Sequence, residues 1–235
     1  MEIAVISDLH LGTKDRADSF GHDDGEFLRF LCFLERHFER IVLLGDIWET
    51  LTSRCPWAAR HALLAARESH PEIARRLRGP RYEYIHGNHD MVARSVDGAR
   101  ERWLLDVDGR RLLFTHGHEH DRLFRVARHL AELGVCIGGW LRRAGFHRLY
   151  RWLDGLDQKR SAIAMDPNQC TFQAWAVDAA EKARADIVIT GHTHLSLVVA
   201  HERTLYLNSG SCSQGHISFL RLDTRRDVYA VHQSW

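Results

Sequence analysis

The chain has no Cys-x-x-Cys pair, no long apolar run, no internal repeat, no low-complexity segment and no excess of either charge sign. Each absence excludes a class. Five cysteines (Cys32, Cys55, Cys136, Cys170, Cys212) are an odd number without knuckle spacing, which argues against a disulfide framework and against a structural zinc. No run approaches the ~20 apolar residues that a spanning helix needs, although contact with a membrane surface stays open. A formal net charge of +1 leaves neither a global basic field for nucleic acid nor an acidic tail. Met1 runs straight into a strand-like segment, with no charged leader and apolar core of a signal peptide, so a reducing, cytoplasmic setting is expected.

What is present is histidine, 17 of them. His is the commonest metal ligand and titrates near neutral pH. His37, His61, His70, His129, His201 and His232 lie in Arg-rich helical stretches or near chain ends and read as bland. Others recur at the ends of apolar, β-branched runs. Ile187-Val-Ile-Thr-Gly-His192-Thr-His194 reads as a buried strand closed by a turn, followed by two His. Ile3-Ala-Val-Ile-Ser-Asp8-Leu-His10, Ile41-Val-Leu-Leu-Gly-Asp46 and Tyr82-Glu-Tyr-Ile-His-Gly-Asn88-His89-Asp90 end in the same manner. Arg111-Leu-Leu-Phe-Thr-His116-Gly-His118 adds another. Open α/β sheets bind ligands beyond the carboxyl ends of their strands, which is where these groups fall.

Between the blocks, 27–38 has helical spacing, and the β-loop-α-β start implies a parallel, right-handed crossover. Asp15, Asp18, Asp23 and Asp24 read as a solvated loop, with Asp23 or Asp24 capping that helix. Residues 58–77 read as helix restarted at Pro71, and 171–185 as helix. Asp108-Gly109 signals a hairpin. Strands are expected over 195–201 and 204–208, then a closing hairpin over 217–222 and 227–232. Residues 122–160 change character: many Arg face few acids, alternating with apolar and aromatic residues and punctuated by Gly134, Gly138, Gly139 and Gly145. This pattern predicts two or more short amphipathic helices. They would form either an ordinary packed pair or a cap that admits an apolar anionic substrate or rests on a membrane surface.

The strand-end residues Asp8, His10, Asp46, Asn88, His89, His116, His192 and His194 mix carboxylate, amide and imidazole. That mixture suits Mn, Fe or Zn and is too large for one ion. A two-metal site with a bridging carboxylate, activating water for attack at phosphorus, is the natural solution.

Asp8-x-His10, Gly45-Asp46, Gly87-Asn88-His89-Asp90, His116 and Gly191-His192-x-His194, in that order along the whole chain, resemble the calcineurin-like metallophosphoesterase family. The resemblance implies a four-layer α/β/β/α sandwich, here a single domain over 1–235 with a helical insertion at about 122–160. It implies two divalent metal ions, Mn first with Fe or Zn as alternatives. Asp8, His10, Asp46 and His194 would hold one and Asp46, Asn88, His116 and His192 the other. His89 would contact the phosphate and protonate the leaving oxygen, and Asp90 would orient His89. The implied reaction is hydrolysis of a phosphate ester or anhydride by metal-bound hydroxide.

Ser7-Asp-Leu-His-Leu11, Leu44-Gly-Asp-Ile-Trp-Glu49, the basic insertion and Ala164-Met-Asp-Pro-Asn-Gln169 look like the UDP-2,3-diacylglucosamine pyrophosphohydrolase branch. That branch implies a lipid-linked, nucleotide-linked substrate and peripheral contact with the inner membrane surface through 122–160. His89 departs from it, since the branch typically has Arg there. His is the pattern of the general phosphoesterases, so the alternative is a phosphomonoesterase or phosphodiesterase acting on a soluble substrate. A nuclease acting on duplex nucleic acid and a non-catalytic scaffold are the remaining, disfavoured readings.

Overall fold

The computed structural model describes residues 1–53, 55, 57–146 and 171–234. The elements run β1 (Glu2–Ile6), α1 (Asp24–His37), β2 (Arg40–Leu44), α2 (Ala59–Ser69), α3 (Pro71–Arg76), β3 (Tyr82–Ile85), α4 (Ala93–Asp97), β4 (Arg102–Val107) and β5 (Arg110–Thr115). A short 3-10 turn (His118–His120) leads into α5 (Arg122–Arg143). After it come α6 (Thr171–Ala183), β6 (Ile187–Thr190), β7 (Ser196–His201), β8 (Thr204–Ser209), β9 (Phe219–Asp223) and β10 (Val228–His232).

The strands form two mixed five-stranded sheets, ordered β10-β9-β1-β2-β3 and β4-β5-β6-β8-β7. β1, β2 and β3 are parallel, as are β5, β6 and β8; the antiparallel strands lie toward the edges. Period-two alternation sorts each apolar run between two cores. Ile3, Val5, Val42 and Leu44 face Leu112, Phe114, Ile187, Ile189 and Leu207 between the sheets. Ala4, Ile6, Ile41 and Leu43 turn outward onto Phe27, Phe30, Leu31 and Leu34 of α1 and Leu63 and Ala66 of α2. On the far side Leu113, Val188 and Tyr206 pack on Phe172, Ala176 and Ala180 of α6. The result is the α/β/β/α layering. Strands covered on both faces explain why β1, β2 and β6 are uninterrupted apolar runs rather than alternating ones.

Local signals act where expected. The Asp23 carboxylate accepts the Glu26 N–H at 3.0 Å and caps α1. The helix over 58–77 breaks before Pro71 into α2 and α3. Asp108 and Gly109 both have positive φ, the hairpin turn that suits twisted strands. The insertion differs from expectation. Over its described residues the first helix is longer than the short helices expected, running 22 residues from Arg122 to Arg143. Gly134, Gly138 and Gly139 sit inside it. Gly139 does not punctuate: a Cβ there would lie 2.9 Å from the Thr52 carbonyl oxygen, so the glycine lets α5 approach the 50–53 loop. Residues 147–160 of the insertion and the block Ala164–Gln169 lie outside the described residues. Among the described residues, no helix is long and apolar enough to cross a membrane.

Candidate metal centre

The chemistry-bearing residues gather beyond the carboxyl ends of β1, β2, β3, β5 and β6. Backbone pairing between β1 and β2 continues past the strands: Asp8 N–H donates to the Gly45 carbonyl, His10 N–H to Asp46, and Leu11 N–H to Ile47, each at 3.0 Å. Asp8, His10, Asp46, His192 and His194 all have φ between 51° and 68°. Left-handed backbone costs a non-glycine residue roughly 1–2 kcal/mol, and such residues persist where their surroundings hold them, commonly at functional sites. Glycine makes the close approaches possible. A Cβ on Gly87 would sit 2.2 Å from Asp46 Oδ1, and one on Gly45 would sit 2.3 Å from His116 Nδ1.

Three triplets of ligand-type atoms result, each with its atoms within 4.8 Å of one another: Asp8, His10 and His194; Asp46, His116 and His192; and His10, Glu49 and His89, which shares His10 with the first. His194 Nε2 lies 3.2 Å from Asp8 Oδ1, and His116 Nε2 lies 3.3 Å from Asp46 Oδ2. Two ligands about 2.1 Å from a shared ion, near a right angle, would stand roughly 3 Å apart. The first two triplets are neighbours, because His192 contributes its ring to one while its N–H donates to Asp8 Oδ2, 3.2 Å away, in the other. Asn88 is buried between Gly87 and His89, whose N–H donates to Asp46 Oδ1 at 2.8 Å.

Four buried polar atoms here make no hydrogen bond: His10 Nε2 and Asn88 Oδ1, and Asp8 Oδ1 and His116 Nε2, which have only the ion-pair contacts just given. Orphaned groups of this kind are costly and rare, so a cluster of acceptors and imidazoles fits a cation. His116 Nδ1 donates to the Leu44 carbonyl at 2.8 Å, which leaves Nε2 as the free lone pair. The electrostatics agree. Burial would lower the His116 pKa, but Asp46 and Asp8 prevail and raise it to about 10. Positive charge is wanted at that point. His192 is pushed down to about 3 by burial and by His116, which favours the neutral imidazole, the form able to ligate a metal.

Asp90 corrects the expectation placed on it. It does not orient His89. Its Oδ1 accepts from Gly87 N–H (2.6 Å) and Asp46 N–H (3.3 Å). Its Oδ2 accepts from Ile47 N–H (2.7 Å), Trp48 N–H (3.3 Å) and the Tyr84 hydroxyl (2.6 Å). Asp90 therefore ties the β2 and β3 loops together. Glu49 holds His89 instead, with Oε2 2.8 Å from His89 Nδ1 and 3.3 Å from His10 Nδ1. Glu49 was missed in the sequence. Its only signal is its place three residues after Asp46, within the block ending at Glu49. Despite burial, which would raise it, the two imidazoles hold this carboxyl well below the usual range. His89 is lowered by burial but raised further by Glu49 and Asp46, to about 9.

His89 is accordingly the protonated member of the pair at neutral pH. Replacing Glu49 by Gln removes the charge that sustains this, so the alkaline limb of a pH–rate profile is expected to move to lower pH. The check is hydrolysis of an ester with a poor leaving group, and an unmoved limb would show that Glu49 does not govern His89.

A four-layer sandwich with this set of carboxylates, amide and imidazoles at its strand ends defines a metal-dependent hydrolase of phosphate esters or anhydrides. Residues 1–140 match the model of the calcineurin-like phosphoesterase superfamily domain, and the chain belongs to that family. It is similar to the UDP-2,3-diacylglucosamine hydrolase of Escherichia coli O6:K15:H31 (strain 536 / UPEC), 27% identical over 226 residues covering 88% of both chains. The enzyme of that name from Shigella dysenteriae serotype 1 (strain Sd197) is 29% identical over 210 residues, covering 83% of this chain and 82% of that one. Among solved structures, an archaeal phosphodiesterase aligns over all of both chains with a TM-score of 0.52 and 16% identity, a likeness of fold.

Proposed function

We propose that the chain is a dinuclear phosphohydrolase whose substrate is a nucleotide-linked pyrophosphate of the UDP-2,3-diacylglucosamine type. The pair of adjacent triplets with orphaned ligand atoms is the observation that carries the dinuclear reading. Asp8, His10, Asp46 and His194 would hold one cation, and Asp46, Asn88, His116 and His192 the other. When bound, such a pair of divalent ions, with Mn the first choice and Fe or Zn equally suited to the donors, supplies an acidified water and neutralises phosphoryl charge. The chain's own groups do the rest. His89, protonated and braced by Glu49, offers a proton to the departing oxygen and hydrogen-bonds the phosphate. Asp90 and the backbone pairing of the 8–11 and 45–49 loops hold the ligands in place. Pre-set ligands act without reorganisation during the reaction.

The substrate reading rests on the relatives' names and on α5. This helix carries Leu133, Ile137 and Trp140 exposed, an apolar face that acyl chains would require. The whole chain works as one domain with 122–160 as its insertion, which rests peripherally on the membrane that carries such a lipid. The test is a hydrolysis panel with added Mn: aryl phosphate mono- and diesters against UDP-2,3-diacylglucosamine. Cleavage of the pyrophosphate at a kcat/KM well above the aryl esters is the expected result. Preference for a simple aryl ester would favour a soluble phosphoester instead, the reading to which His89 itself points.

A further inference from the structure

Beside the metal centre lies a second feature, a cavity of about 300 Å³ that shares Glu49 with it. Its walls include residues of the loops that follow His10 and Asp46, so the cavity adjoins the centre through Glu49. Its floor is α2 with its N-cap residue Ala58, which with Ala62 and Ala65 at i, i+4 and i+7 presents a strip of small side chains. Its rim is polar. Arg143, from the end of α5, donates through Nε to Asp15 Oδ2 and through Nη1 to the Thr52 carbonyl, both at 2.6 Å. Nη2 is not used in those bonds. Asp15 and Asp18 accept backbone N–H groups from Ala17 and Phe20 at 2.8 Å, and each carboxylate oxygen keeps a further lone pair.

We propose that this slot is the subsite for the nucleoside arm of the substrate, an inference that rests on the phosphohydrolase reading above. A flat ring lies on the alanine floor. Ribose hydroxyls donate to the Asp15 and Asp18 carboxylates and accept from Arg143. The same carboxylates repel any further phosphate, so the group that enters is uncharged and hydroxylated. An acyl chain would strand the rim's polar groups, which is unfavourable. The apolar surface of α5, formed by Leu133, Ile137 and Trp140, is a separate place. The volume is at the small end for a ligand pocket and matches one ring system with its sugar.

The test uses the full chain with Mn, UDP as the probe and inorganic phosphate as the control, since phosphate needs only the centre. Ala62→Leu fills the slot with a good helix former, and Ala62→Ser leaves it open. UDP affinity by calorimetry should fall at least tenfold in Ala62→Leu and stay near the unmodified value in Ala62→Ser. Inhibition of aryl phosphate hydrolysis by inorganic phosphate should not follow the same pattern. Equal UDP affinity in all three proteins, or equal weakening of UDP and phosphate in Ala62→Leu, would overturn the assignment. A chain that shows the expected UDP pattern but hydrolyses no phosphate ester would keep the slot and remove the phosphohydrolase reading.

Discussion

Asp46→Asn is expected to lower kcat/KM for an aryl phosphate by on the order of 10³-fold, equivalent to about 4 kcal/mol of transition-state stabilisation. The size follows from position. Replacing groups that merely orient ligands typically costs about 10–100-fold, and Asp46 is proposed to touch both cations. It also sits within 3.3 Å of His116 Nε2 and accepts the His89 N–H. The amide keeps the shape and one oxygen but loses the charge that makes His116 basic. The fold should survive, because Asp46 lies beyond the strands and outside the apolar cores. Steady-state kinetics with circular dichroism separates the two effects. A folded Asp46→Asn protein with undiminished turnover would show that Asp46 does not bridge.

Gly45→Ala should be one of the more damaging single-methyl changes among the described residues. Gly45 has φ +83°, and its Cβ would stand 2.3 Å from His116 Nδ1, the atom that bonds the Leu44 carbonyl. Left-handed backbone costs about 1–2 kcal/mol, and forcing a methyl into a packed site about 1–3 kcal/mol more. His116 cannot move aside without leaving Asp46. Gly109→Ala is the matched control: φ is +76°, yet nothing lies within 4 Å of the added methyl. Only the backbone part should appear there. Denaturant unfolding of the two variants is expected to differ by at least ~1 kcal/mol, with turnover lost in Gly45→Ala alone. Equal destabilisation would mean that the loop relaxes and that the close approach is unimportant.

The layered fold was legible because β1, β2 and β6 are buried on both faces, and burial of that kind writes itself as an unbroken apolar run. The turn at Asp108-Gly109 and the cap at Asp23 were legible because backbone φ and orphan N–H groups demand particular residues. The positions of the ligand-type residues followed from strand ends. Side-chain partnership did not. Nothing in the spacing shows that Asp90 turns toward the backbone of 46–48 while Glu49 turns toward His89 and His10. Both are carboxylates next to the same loops, and only tertiary geometry sorts them. The insertion misled for a related reason. Its glycines read as breaks, whereas Gly139 answers a contact with Thr52, more than 80 positions earlier in the chain. His70, read as bland, is buried and paired with Asp24 at 2.8 Å, a structural role that Arg-rich surroundings conceal.

The measurement that bears most directly on the centre is a metal count coupled to turnover. The chain is stripped with a chelator, reloaded with Mn, and followed by atomic emission and aryl phosphate hydrolysis together. Two ions per chain are expected, with activity absent from the stripped protein and restored on filling, and with fewer ions retained by Asp46→Asn. Full hydrolysis by the metal-free chain, or saturation at a single ion with full activity, would contradict a shared two-cation site.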